Sequence, residues 1–189
     1  GPDRARMMTM AVPRQLPNAI TIVRILCAPV FLWMLLADDG ADGGLRWAAA
    51  VLFVVAIATD GLDGHIARAN DIVTDLGKLL DPIADKVLTG FAFVGLSILG
   101  ELPWWVTIVI LVREIGITIY RFVVVSDHVL AAAWMGKLKT VAQGVALALA
   151  LLPLWTVLGD GIFWVNGVAL AIAFVLTIAS GVDYVVSEV

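Results

Sequence analysis

Six stretches of this chain, at about 18–37, 46–68, 77–99, 103–125, 137–158 and 162–186, are each apolar over close to the ~20 residues a helix needs to cross ~30 Å of hydrocarbon. The loops between them are short, and short loops force antiparallel neighbours. With 61% hydrophobic side chains and a mean hydropathy of +1.00, there is too little polar surface to cover a water-soluble globule. The expected fold is therefore all-α and integral to the membrane, a single six-transmembrane-helix bundle spanning residues 17–189 with no linker and no internal repeat. Residues 1–16 read as a polar, basic tail suited to the membrane surface, and Gly1-Pro2 as the scar of a removed tag. No cleavable signal peptide is expected, since the first apolar run lacks a small-residue cleavage site and is long enough to span.

Charge is scarce in such a chain, which makes its concentration between Thr59 and Lys86 informative. Asp60 and Asp63 are three residues apart at the end of the second run, and Asp81 and Asp85 four apart at the start of the third. Each pair therefore shares a helix face. One helix leaves the membrane where the next enters, so all four carboxylates lie at one depth on one side. Only Arg68, Lys78 and Lys86 are near in sequence, which leaves the acids in excess, and a hard divalent cation is the natural compensation. Gly64, Ala67 and Gly77 on or near the acidic faces let the helices approach and leave room for a ligand. Pro82 falls within the turn of the second pair, where it can wedge the helix open. The structural alternative is a set of buried charges that only ties two helices together.

Basic residues set the orientation. Arg4, Arg6, Arg14, Arg68, Lys78, Arg121, Lys137 and Lys139 cluster at the tail, the second loop and the fourth loop, whereas Arg46 alone flanks the first. The aspartates are thus expected on the cytoplasmic side. Opposite loops carry Asp38, Asp39, Asp42, Glu101 and Asp160, and Trp33, Trp47, Trp104, Trp105, Trp155 and Trp164 sit near span ends on that outer side as an aromatic belt. A formal charge of −4 without a clustered basic excess argues against nucleic acid. The single Cys27 excludes a disulfide within the chain and reads as a small core residue, while His65 and His128 read as solvated or interfacial.

Written out, the acidic stretch is D-x2-D-G-x2-A-R-x8-G-x3-D-x3-D, with eight specified residues over 26 positions. It resembles the signature of the CDP-alcohol phosphotransferases at every fixed position, a far more specific match than a lone glycine motif. Leu16-Pro17-Asn18-x2-Thr21-x2-Arg24, Val112-Arg113-Glu114 and Gly136-Lys137-x-Lys139-Thr140 extend the likeness toward the branch that takes glycerol 3-phosphate. The resemblance implies two Mg2+ or Mn2+ ions held by Asp60, Asp63, Asp81 and Asp85, with Asp85 also accepting the proton of the incoming hydroxyl. It implies that Arg68 neutralises pyrophosphate oxygens and that Gly61, Gly64, Ala67 and Gly77 line the cytidine side. Asn18, Thr21 and Arg24 share one face of the first helix, and read either as capping and interhelical bonding or as contacts to the nucleotide or lipid phosphate.

The implied reaction transfers the phosphatidyl group of CDP-diacylglycerol to glycerol 3-phosphate, releasing CMP, in phospholipid biosynthesis at the bacterial cytoplasmic membrane, by a homodimer. A dianionic acceptor needs several basic donors, and Arg113, Arg121, Lys137 and Lys139 can supply them as a basic funnel, with positive-inside flanking as the plainer reading. Arg113 lies some ten residues into its span, where a charge is costly unless it meets an anion. Two other functions compete: the cardiolipin-forming branch, with phosphatidylglycerol as acceptor, and a small cation transporter. A transporter site belongs near the midplane with access from both faces, whereas these acids lie toward one.

Overall fold

The computed structural model describes residues 15–69, 75–123 and 129–188, with side chains given for these except at 17, 61–69, 75–79, 81, 129–133 and 188. Every regular element among them is helical: α1 (Leu16–Asp38), α2 (Gly44–Ala69), α3 (Asp75–Ile98), α4 (Trp104–Val123), α5 (Val129–Leu151), the single turn α6 (Trp155–Leu158) and α7 (Ile162–Glu188). By length and composition alone, Asn18–Asp38 and Ile162–Ser187 are long and apolar enough to cross a membrane. The other four long helices carry the charged residues of the candidate site, which lowers their apolarity. One expected element is corrected. The span placed at 137–158 is divided, because α5 starts at Val129 and stops at Leu151 ahead of Pro153, whose ring and missing N–H disfavour a continuing helix. The remaining long helices lie within two residues of the expected bounds.

Helix α1 packs on α2 and α3, α5 on α7, α2 and α3, and α4 on α3 and α7. Phe31 and Leu35 of α1, Phe53 of α2, Leu88 and Leu96 of α3 and Leu147 of α5 are fully or almost fully buried at the centre. Small residues set the spacing. Ala49, Ala50, Ala84 and Ala92 have no exposed surface, and a Cβ on Gly95 would lie 2.7 Å from Leu35 Cδ2 and 3.1 Å from Leu32 Cδ1, so a larger residue would push these leucines of α1 aside. The exterior, in contrast, is studded with Val112, Ile115 and Ile119 of α4 and with Val168, Ile172 and Val175 of α7. Such a surface suits hydrocarbon rather than water.

The end of the bundle remote from the four aspartates is closed by a polar lock. Asp38, the last residue of α1, accepts from the backbone N–H groups of Asp42 (2.8 Å), Gly43 (3.0 Å) and Arg46 (3.3 Å), which caps the start of α2. The chain can turn there because Asp39, Gly40 and Asp42 all adopt positive φ. Arg46 is completely buried rather than a surface flank. It donates to both carboxylate oxygens of Glu101 (2.8 and 2.9 Å) and to the carbonyls of Ala150 and Leu151 (3.0 and 2.7 Å), and so ties α2 to the α3–α4 turn and to the end of α5. Trp155 lies over its guanidinium at 5.3 Å, stacks on Phe163 and donates its indole N–H to Asp42, so this tryptophan does more than mark an interface. Trp33, Trp104, Trp105 and Trp164 are exposed, as belt residues would be.

Arg46→Met would strand two carbonyls and the Glu101 carboxylate. The expected cost is on the order of 3 kcal/mol, toward the low end for breaking a buried pair because Glu101 is 33% exposed. Thermal unfolding of purified protein in detergent should show a clear drop for this variant and almost none for Trp164→Ala on the exposed surface; equal melting of the two would contradict the lock.

Candidate active site

Helix α2 runs unbroken through Asp60 and Asp63, and α3 runs unbroken through Asp81, Pro82 and Asp85, so the three- and four-residue spacings do place each pair on one helix face. Asp60 and Asp85 line a common cavity of about 630 Å³ between the two helices, α4 and α5. The side chains of Asp63, Asp81, Arg68 and Ala67 lie outside the described residues, as do all local contacts of Gly61, Gly64 and Gly77, although all seven positions fall on α2 or α3. Among the described residues no side chain donates a hydrogen bond to the Asp85 carboxylate, while Thr89 Oγ1 donates to its backbone carbonyl at 2.9 Å.

Asp60 is held from the first helix. Asn18, Thr21 and Arg24 are all buried on one face of α1, as their spacing requires, and Arg24 Nη1 donates to Asp60 Oδ1 at 3.0 Å while its Nε reaches Thr59 Oγ1 at 3.5 Å. The α1 face therefore braces the aspartate end of α2. A donor set of carboxylate oxygens from two helices, opening on one cavity, fits a hard divalent cation such as Mg2+ or Mn2+ better than a soft one.

The expected basic residues meet in the same cavity. Arg113 and Arg121 of α4 and Lys137 and Lys139 of α5 all line it, together with Lys86 of α3, which the basic funnel of the sequence reading left out. Their surroundings differ. Arg121 and Lys137 are exposed, Arg121 with its guanidinium 5.1 Å from the Tyr184 ring, whereas Lys139 is buried. Arg113 is fixed from α7: its Nε donates to the Thr177 carbonyl (3.2 Å) and its Nη2 to Ser180 Oγ (2.8 Å). Glu114 joins the set, accepting from Arg113 Nη1 (3.2 Å), Lys86 Nζ (2.6 Å), Lys139 Nζ (2.6 Å) and Gln143 Nε2 (3.3 Å). Gln143 in turn donates to Thr177 Oγ1 at 2.8 Å.

Helix α7 thus contributes Thr177, Ser180 and Gly181, none of which has a sequence signal beyond being small or polar in an apolar run. Gly181 has a steric reason to be glycine, since a Cβ there would sit 3.2 Å from both Cγ and Nε of Arg113. A larger groove of about 710 Å³ between α4 and α7 has almost wholly apolar walls, and Arg113 is the charged residue on it. The smaller cavity differs in that carboxylates and cations line the same space.

A family model described as CDP-alcohol phosphatidyltransferase matches residues 14–179, which covers all of the helices that build this cavity. The chain belongs to the CDP-alcohol phosphatidyltransferase family. It is 43% identical over 185 residues to a Mycobacterium tuberculosis protein named "Probable phosphatidylglycerophosphate synthase", covering 97% of this chain and 86% of that one. A Bacillus subtilis CDP-diacylglycerol–glycerol-3-phosphate 3-phosphatidyltransferase is 37% identical over 182 residues, covering 89% of this chain and 92% of the relative. The protein of the same name from Rickettsia prowazekii is 35% identical over 182 residues, covering 93% and 96%. As a member of this family the chain is an enzyme, a phosphatidyltransferase, and the transporter reading falls away.

If Arg113 needs its seat on α7, Gly181→Val should displace its side chain without unfolding the bundle. Loss of one charge-assisted hydrogen bond predicts a fall in phosphatidyl transfer of about tenfold or more. Unchanged turnover with unchanged melting temperature would show that the Arg113 position is not critical.

Proposed function

We propose that this enzyme transfers the phosphatidyl group of CDP-diacylglycerol to glycerol 3-phosphate, giving phosphatidylglycerol phosphate and CMP, with the protein lying in a bacterial cytoplasmic membrane as six spans and the aspartates at the cytoplasmic face. The observation that carries the reading is the cavity in which Asp60 and Asp85 face Arg113, Arg121, Lys137 and Lys139. Carboxylates able to hold cations and basic groups able to hold a phosphate then line one space. The names of the relatives support glycerol 3-phosphate over phosphatidylglycerol as the acceptor.

Asp60, Asp63, Asp81 and Asp85 are the residues that would hold two divalent cations, Mg2+ or Mn2+. Such a pair, when bound, supplies charge neutralisation at the oxygens of the attacked phosphate. The protein's own groups do the rest. Arg24 keeps Asp60 in place, and Arg68 with Gly61, Gly64, Ala67 and Gly77 receives the cytidine diphosphate portion, aided by Asn18 and Thr21. The basic wall orients the acceptor phosphate so that its far hydroxyl points to the aspartates. Asp85 takes the hydroxyl proton as the oxygen attacks the phosphorus that carries diacylglycerol. The bond from that phosphorus to the bridging oxygen breaks, and CMP departs with the bridging oxygen. A homodimer is the proposed assembly.

Purified protein given CDP-diacylglycerol and a panel of acceptors tests the reading directly. Release of CMP should require glycerol 3-phosphate and added Mg2+ or Mn2+, and should stop with excess chelator. Recovery of CDP, turnover that survives chelation, or preference for phosphatidylglycerol would each count against it. Arg121→Ala probes the exposed part of the wall: by the loss of a charge-assisted contact worth ~1.5–3 kcal/mol, the KM for glycerol 3-phosphate should rise at least about tenfold while that for CDP-diacylglycerol stays put. A parallel rise in both would place Arg121 elsewhere in the reaction.

A further inference from the structure

Glu114 is buried on α4, one residue from the cavity-lining Arg113, and three cations from three helices converge on it. Lys86 of α3 donates to Oε2, while Lys139 of α5 and Arg113 of α4 itself donate to Oε1. One carboxylate balances one of these three charges, so the hydrogen-bonded cluster keeps two positive charges in excess. With Lys139 buried, Lys86 and Arg113 half-buried, and Asp85 on the same cavity reserved for the divalent cations of the proposed function, an excess of that size is unfavourable unless an anion meets it. All three cations also line the 630 Å³ cavity, whereas Glu114 is absent from its wall and lies behind them, against a separate, mostly apolar cavity between α3 and α4.

That arrangement separates two jobs. The cations can touch a ligand in the 630 Å³ cavity, whereas Glu114, which does not line it, touches the cations and Gln143. We propose that Glu114 is a positioning residue which gathers Lys86, Arg113 and Lys139 into a receptor for a phosphate monoester dianion, and that Lys86 is a further phosphate-binding residue beside the aspartates. The inference rests on the reading of glycerol 3-phosphate as acceptor. The charge match favours a monoester, which carries close to two negative charges near neutral pH, over a phosphodiester, which carries one. Lysine stems are long and flexible, and without a common anchor their ammonium groups would repel one another and spread. Gln143, held by Thr177, and the two α7 contacts to Arg113 brace the anchor from behind.

The competing account makes Glu114 a simple counter-charge that weakens the local field. The two accounts predict opposite signs. Were Glu114 only a counter-charge, Glu114→Gln would free three cations and lower the KM for glycerol 3-phosphate. If it positions them, the same variant raises that KM about tenfold or more and leaves the KM for CDP-diacylglycerol within about twofold. An acceptor KM that is unchanged or lower, or equal rises in both constants, would overturn the proposal. Should Glu114→Gln fail to fold in detergent, Lys86→Gln decides instead, since a selective rise in acceptor KM supports the cluster and an unchanged one rejects it. The unmutated protein provides the separate check on the function itself. Absence of CMP release dependent on glycerol 3-phosphate removes both readings, whereas normal release with unaltered variant kinetics removes the Glu114 proposal alone.

Discussion

A charge taken away from water must be met by an opposite charge or by hydrogen bonds, and the two ends of this bundle answer that demand differently. At one end Arg46 is enclosed and charge-balanced: two bonds to Glu101, two to helix-terminal carbonyls and an indole above it bury its side chain completely. At the other end Glu114 meets three cations with a single carboxylate, and Arg121 and Lys137 add further positive charge along the same wall. A balanced cluster is a lock. An unbalanced one facing a cavity suits an anion, and in the function proposed here that imbalance is what turns a helical scaffold into a receptor for anionic substrates.

The scaffold makes the receptor possible by letting helices that are distant in sequence come close. Gly95 admits α1 against α3, and α1 then carries Arg24 to Asp60 across a sequence gap of 36 residues. Gly181 admits the Arg113 side chain against α7, whose Thr177 and Ser180 fix it. Polar bonds between helices recur at depth, as in the 2.6 Å contact of Ser97 with Thr107 that joins α3 to α4. Among the described residues the cavity walls are held by helix-to-helix contacts, which keeps acidic and basic groups at fixed separations.

Features governed by local spacing were legible in the sequence. Helical periodicity alone puts Asp60 with Asp63, Asp81 with Asp85, and Asn18 with Thr21 and Arg24 on shared faces, and the long helices start and stop close to where apolar runs do. Pairings across the chain were not legible. Arg46 reads as a loop-flanking charge until Glu101 and the end of α5, 104 and 105 residues away, are seen around it. Lys86 reads as a neighbour of the aspartates, yet its partner is Glu114, 28 residues on. Thr177 and Ser180 carry no pattern at all, since a single hydroxyl in an apolar helix satisfies itself on its own backbone as readily as it binds another helix. The division of the fifth span does have a sequence signal, Pro153, set within a run of otherwise continuous hydropathy.

In the proposed function, carboxylates that hold metal and cations that hold the acceptor share one cavity. A crystal structure of the protein loaded with manganese and glycerol 3-phosphate measures this directly, through the anomalous scattering of the metal and the density of the phosphate. The account predicts manganese beside Asp60 and Asp85 and the phosphate against Arg113, Arg121 and Lys139 within the same space. Phosphate bound in the apolar groove between α4 and α7, or manganese held away from these aspartates, would contradict it.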